Sequence, residues 1–220
     1  MKSLYCTLLG LGLVAMLTAP AAAQGRGRGF GGGNSLAALM ANTSVQKELK
    51  LDDQQIEKAK ELAQKNREEM TEKMQALPQD LEKADRRTKM MEISREMNAS
   101  TLKAAGEFLK PEQVTRLKQI SYQRQGLMAF NDPEVAKKLN LTDSQKSEIQ
   151  EIARESRGGG GGFNRDATPE ERKAAMAKRA EQQKEALAKV TAKLNDEQQK
   201  TWKELLGAPF EYRPDPRPNN

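Results

Sequence analysis

Two kinds of side chain could do chemistry here by number and spacing: carboxylates and methionines. Charged residues make up 31% of the 220-residue chain, which has no His and one Cys, Cys6. Without His, and with Cys6 lost if a leader is removed, the commonest zinc ligands, Cys–His catalysis and the Glu-x-x-His di-iron pattern are all excluded. The carboxylates stand among interleaved Lys and Arg, with no apolar setting that would shift a pKa. They read as a solvated face, so we expect no enzyme, no cofactor and no metal.

Methionine is the less ordinary feature. Eight of the ten Met follow residue 23, and Met70, Met74, Met90, Met91 and Met97 fall in two long helical stretches. Met70 and Met74 share a helix face, as do Met90 and Met97. Such side chains can fill a core, offer an adaptable apolar surface to varied clients, or bind Cu(I) through thioethers. The copper reading calls for a repeated Met-x-x-Met array that is missing. Met70, Met74, Met90 and Met97 are the candidate client-binding residues, with core filling as the alternative.

Two glycine-rich stretches read as connections. Residues 24–34, Gln-Gly-Arg-Gly-Arg-Gly-Phe-Gly-Gly-Gly-Asn, resemble an RGG segment, but two Arg neutralise little phosphate. A flexible linker fits better, and no nucleic acid is expected. Five consecutive Gly from Gly158 lack the Gly-Lys-Ser/Thr ending of a phosphate loop, so they read as a floppy connection.

These residues must be held by helices. Residues 1–23 read as a signal peptide: Lys2, an apolar run from Leu4 to Leu17, then Ala21-Ala22-Ala23. The run is short and broken by Gly, so no stable membrane span is expected after cleavage, and the mature protein is expected in the periplasm or medium. Without Lys2 the chain holds 36 basic and 31 acidic residues, a net charge of +5. With only 4% aromatic residues, the core must be thin and built from Ala, Leu and Met.

One short frame recurs four times. Leu51-Asp52-Asp53-Gln54-Gln55, Leu109-Lys110-Pro111-Glu112-Gln113, Leu141-Thr142-Asp143-Ser144-Gln145 and Leu194-Asn195-Asp196-Glu197-Gln198 each place Gln three residues after a helix-start position. Thr142 with Gln145 is a capping box, Asp52 and Asn195 are good N-cap types, and Pro111 suits the first helical position. The flanks match as well: Val45, Leu49 and Leu51 stand in the same register as Val135, Leu139 and Leu141. The chain therefore reads as a tandem duplication. The capping-motif residues are Leu51, Gln55, Leu109, Gln113, Leu141, Thr142, Gln145, Leu194 and Gln198.

The L-T-x-x-Q frame resembles that of the Spy/CpxP-like periplasmic helical proteins, which carry two copies per chain. Residues 141–145 match it literally, and the other copies keep Leu and Gln but replace Thr with Asp52, Lys110 and Asn195. The resemblance implies a thin all-helical periplasmic protein, with ATP-independent chaperone, stress-signalling or metal-sensing roles. The absence of His departs from the metal-sensing members.

We expect an all-α fold of two tandem units of antiparallel helices, residues 42–130 and 131–210. A Gly/Arg-rich linker at 24–41 precedes them, with an apolar helical turn from Ser35 to Met40, and a Pro-rich disordered tail at 211–220 follows. Thr43-x-x-Gln46 looks like a further capping box. Long helices should run from Asp53 to about Ala76 and from Leu81 to about Phe108. Another should start at Thr168-Pro169 with a stripe of Met176, Ala180, Leu187, Val190 and Leu194. Unfolded or envelope proteins are the expected partners. A homodimer, or mutual cover between the two units, would hide an apolar stripe. Two functions stand: an exported helical binding protein, as an ATP-independent chaperone or envelope-stress protein, or a structural or scaffolding helical protein of the envelope without clients.

Overall fold

The structure, a computed structural model, describes residues 35–158 and 167–216. The stretch read as a signal peptide, the linker as far as residue 34, most of the pentaglycine stretch and residues 217–220 lie outside the described residues. Within them the protein is all-α, without a strand. The order is α1 (Leu36–Ala41), α2 (Thr43–Glu48), α3 (Asp53–Gln75), α4 (Lys83–Ala105), α5 (Pro111–Gln125), a 3₁₀ turn (Gly126–Asn131), α6 (Pro133–Lys138), α7 (Asp143–Gly158), α8 (Pro169–Ala192) and α9 (Asp196–Leu206).

The duplication is legible atom by atom. α2 and α6 end alike: Lys50 (φ 51°) and Asn140 (φ 47°) take the left-handed conformation. The N–H groups of Lys50 and Leu51 bond back to Lys47 and Gln46, and those of Asn140 and Leu141 to Lys137 and Ala136. This is the Schellman ending. It turns the chain straight into the N-caps Asp52 and Thr142. Asp52 accepts from Gln55 N–H at 2.8 Å and Thr142 Oγ1 from Gln145 N–H at 3.1 Å, while each Gln Oε1 accepts the cap residue's own N–H. Asn195 with Gln198 and Thr168 with Glu171 are complete boxes too. Lys110 has no acceptor to offer, so α5 keeps only the half in which Gln113 Oε1 accepts Lys110 N–H, at 2.8 Å.

The four glutamines then meet in two pairs. Gln55 donates to Gln113 Oε1 (2.9 Å) and Gln113 donates to Gln55 Oε1 (3.1 Å). The second N–H of Gln55 goes to the Phe108 carbonyl and that of Gln113 to the Leu49 carbonyl. The other repeat does the same: Gln145 and Gln198 exchange bonds of 2.8 and 3.0 Å, and reach Lys193 and Leu139 carbonyls. Both donors and the acceptor of every amide are thereby used.

Each pair ties the start of one helix to the start of another, and so fixes where the two ends of a hairpin return. α3–α4 form one hairpin, closed at its base by α5. α7–α8 form the other, closed by α9.

The core corrects the expected boundaries. α1 is not linker: Leu36, Leu39 and Met40 are buried with Val45, Leu49, Ala59, Ala105, Leu109, Leu117 and Ile120 in the first repeat. Conversely, Leu127, Ala129 and Phe130 belong to the second core, with Val135, Ile149, Val190 and Trp202. Phe130 and Trp202 rings pack 4.5 Å apart. The first repeat therefore starts at α1 and the second just after α5. α2 also differs from expectation. Its N-cap is Asn42, whose Oδ1 accepts from Ser44 and Val45 N–H, and Gln46 instead donates back to the Met40 carbonyl. Asn42 wins because a helix already ends there, leaving it extended and free to cap.

The repeats join through equivalent helices, α5 and α9. Gln119 Nε2 donates to the Glu204 carbonyl, and Gln123 Nε2 to those of Leu206 and Ala208. Gly207 (φ 62°) makes this approach feasible, since a Cβ there would run into the Gln119 amide. A further tie is Glu134 on α6, bonded to Lys118 on α5 at 2.9 Å and to Lys138 at 3.2 Å.

Gln113→Ala or Gln198→Ala should each destabilise the fold by about 2–3 kcal/mol, because the partner amide loses its bonds in a buried place. Exposed Gln54→Ala should stay within about 0.5 kcal/mol. Urea unfolding followed by circular dichroism measures both.

Candidate functional site

The methionines lie on the α3–α4 hairpin, and its two halves differ. Near the base, Ala59, Ala63 and Ala105 let the helices approach, and Asn66 Nδ2 donates to Thr101 Oγ1 at 2.8 Å in a buried position. Thr101 in turn donates to the Met97 carbonyl. Beyond Asn66 on α3, and before Met97 on α4, no residue is fully buried. There Met70, Met74, Met90 and Met91 sit half-buried, with Leu77, Leu81 and Ile93. Lys73 and Glu96 bridge the arm at 3.0 Å, and Arg86 closes its tip on the Pro78 carbonyl.

The four candidate client residues therefore divide. Met97 is 3% exposed and cannot face a client. It sits one turn before Thr101, whose hydroxyl bonds its carbonyl, and fills the core. Met70, Met74 and Met90 keep part of their surface in solvent, beside Met91, which the spacing argument had left out. The flexible thioether stem suits such a seam, because it can repack without a fixed partner.

The second arm departs further from expectation. The stripe read along α8 is buried only at Val190 and Leu194, with Leu187 half-buried. Ala180 is exposed, and Met176 is 60% exposed. Ala186, which the stripe reading had not named, is buried in their place.

Around these arms the charges are ordinary surface pairs, such as Lys89–Glu92 and Lys193–Glu148, which contribute little each. Glu134 is better held. Burial pushes its carboxyl up, but the hydrogen bonds and charges of Lys118 and Lys138 outweigh that and hold it below the usual carboxylate range. Tyr122 is pushed well up by burial and by the negative charges of Asp132 and Glu134. Neither group faces an open cleft. A recess of about 410 Å³ between α5, α6 and α9 is rimmed by Lys118 and Lys138, whose ammonium groups are already taken by Glu134. Among the described residues, no three potential His, Cys, Asp or Glu ligands cluster, and no helix is long and apolar enough to cross a membrane.

The capping-motif residues occupy the base, away from the arms. Gln55, Gln113, Leu109, Leu141, Leu194 and Gln198 are buried, Leu51 and Gln145 are half-buried, and Thr142 is exposed as a cap. They position the hairpins and offer no surface of their own. Comparison with family models, with curated proteins and with solved structures finds no match to this chain.

Met97→Gln should cost about 1–3 kcal/mol, because it buries an amide without partners. Met74→Gln should cost less than about 1 kcal/mol. Chemical denaturation of the two variants separates core from arm.

A second expectation concerns acid. Because the Glu134 value is lowered on folding, its contribution is present above the ordinary carboxylate range and lost as pH falls through the folded value. Glu134→Gln should flatten the acid limb of the thermal midpoint against pH. Asp143 and Glu148, also held low by lysines, should leave a residual slope.

Proposed function

We propose that this protein is an exported helical binding protein of the Spy/CpxP-like kind, which shields unfolded segments of other proteins without ATP in the periplasm. The observation that carries the reading is the distal α3–α4 arm, where Met70, Met74, Met90 and Met91 stay half-buried instead of joining a core. Soft side chains of this type repack around irregular apolar surface. The interleaved Lys, Arg, Asp and Glu keep a loaded complex soluble and attract charged clients from a distance. The chain has no nucleotide loop, so release follows client folding or weak affinity. Export rests on residues 1–23, whose apolar run and Ala-Ala-Ala ending fit a cleaved leader. The alternative, a client-free scaffold of the envelope, draws support from Met97, which is core.

The test is light scattering of a chemically denatured client diluted into the mature protein over a broad range of ratios. Protection is expected. The triple change Met70→Gln, Met74→Gln, Met90→Gln should weaken it several-fold, with helicity by circular dichroism unchanged. No protection by the unaltered protein at any ratio replaces this reading with the scaffold.

A further inference from the structure

The two repeats exchange the segments that follow their last helices. After Gly126 (φ 52°) the chain runs into the second core as Leu127, Ala129 and Phe130, all buried, and continues into α6. After Gly207 it runs the other way, over the first repeat, as an extended strap. Phe210 and Tyr212 pack against the first core but remain only half-buried. Glu211, Arg213, Pro214 and Asp215 between and beyond them are exposed. The described part of the tail expected to be disordered, as far as residue 216, is thus seated, though less deeply than its counterpart.

What seats it is largely main-chain recognition. Gln123 reads alternate backbone groups: its Nε2 donates to the Leu206 and Ala208 carbonyls, and its Oε1 accepts Phe210 N–H at 2.9 Å. Arg116 donates to the Ala208 carbonyl at 2.8 Å. At the other end Asn42 Nδ2 donates to the Arg213 carbonyl, and Ser44 Oγ bonds both Arg213 backbone groups. Thr43 N–H, at the start of α2, donates to the Asp215 carboxylate at 3.1 Å. Side-chain preference enters at the two aromatic positions and at that carboxylate. Arg124 lies over the Tyr212 ring, 4.0 Å from its centre, a cation–π contact of modest strength at an exposed site.

We propose that this groove, floored by α5 and the start of α2, is a binding site for extended peptide segments, which the protein's own residues 209–215 occupy in cis. The matching ligand is an extended stretch with aromatic residues two apart and a carboxylate three positions after the second, as in Phe210-x-Tyr212-x-x-Asp215. Backbone reading makes the groove tolerant of sequence, and the shallow seating lets the strap lift without unfolding the helices beneath. The inference rests on the proposed function only in naming the occupant: aromatic-containing segments of unfolded proteins, held here in addition to the methionine arm.

The probe is a fluorescein-labelled synthetic peptide of residues 207–216, followed by anisotropy with the full mature chain. Phe210→Ser with Tyr212→Ser releases the strap. Asp215→Ala is a milder change that keeps its aromatics, should the double change disturb folding. A tethered segment competes at about millimolar effective concentration. The released protein should therefore bind the peptide about tenfold more tightly than the unaltered one, and Asp215→Ala about two- to threefold more tightly. Arg124→Ala in the released background should weaken binding. If variants of unchanged helicity show no gain, the inference falls, even where wild-type client protection persists through the arm. If the peptide binds but neither protein protects a client, the groove stands and the chaperone reading falls. If the unaltered protein is a dimer by light scattering and strap release makes it monomeric, the occupant is a second copy's tail and the in-cis inference is overturned.

Discussion

The fold hangs on the reciprocal glutamine pair. Gln55 with Gln113, and Gln145 with Gln198, pair four carboxamides at the bases of two hairpins, three of them buried and Gln145 half-buried. A carboxamide has two N–H donors and one carbonyl acceptor. In each pair the acceptor serves both the local helix cap and the partner, and the donors serve the partner and a carbonyl just ahead of the partner's helix. Among uncharged side chains only Gln and Asn offer that combination, and Gln has the longer reach. Its demands reach outward: Leu49 and Leu139 must present their carbonyls, which explains the left-handed Lys50 and Asn140 that follow. The short helices α2 and α6 are there because the carbonyls at their ends are needed.

With so much specified by hydrogen bonding, the core can be thin. Alanine lines the hairpin bases, and Phe130 against Trp202 is an aromatic pair in the second core. The repeats also share material. Leu127–Phe130 completes the second core, whereas Phe210 and Tyr212 lean on the first. The exchange is symmetric in topology and unequal in burial, which leaves one seat firmly filled and the other lightly covered. Glu134, clamped by Lys118 and Lys138 across the joint, is where the global fold meets the local charge pattern.

The arms obey a different rule. Hairpin length is set by the sequence between capping boxes, while the glutamine pairs and their cores hold only the base. Between Asn66 and Met97 no residue is fully buried, so apolar residues there are shared between the seam and water. Methionine tolerates that position because its side chain is unbranched and adapts. The feature that suits the arms to irregular partners is a consequence of how little of the hairpin the base can bury.

The sequence by itself determined the helices and most of their starts, the α2 cap at Asn42 and the α4 start at Lys83 being exceptions. Capping residues, N1 prolines and Gly126 and Gly207 act over three or four residues, and the Pro111, Asp143, Pro169 and Asp196 starts follow from those local rules. It also determined the duplication, from matched Val, Leu and Gln positions. That Gln recurs four times while the cap varies among Thr, Asp, Asn and Lys was a signal of something beyond capping, though spacing alone does not say which Gln meets which. Only the tertiary structure decided that pairing, the burial of Met97 and exposure of Met176, the place of α1 in the core, and the seating of Phe210 and Tyr212. These depend on which chain segments lie opposite one another, and helical periodicity reports a face without naming what covers it. The prolines around the strap marked it as non-helical. Read along the sequence it was a disordered tail, and only the groove beside α5 gave Phe210 and Tyr212 a place.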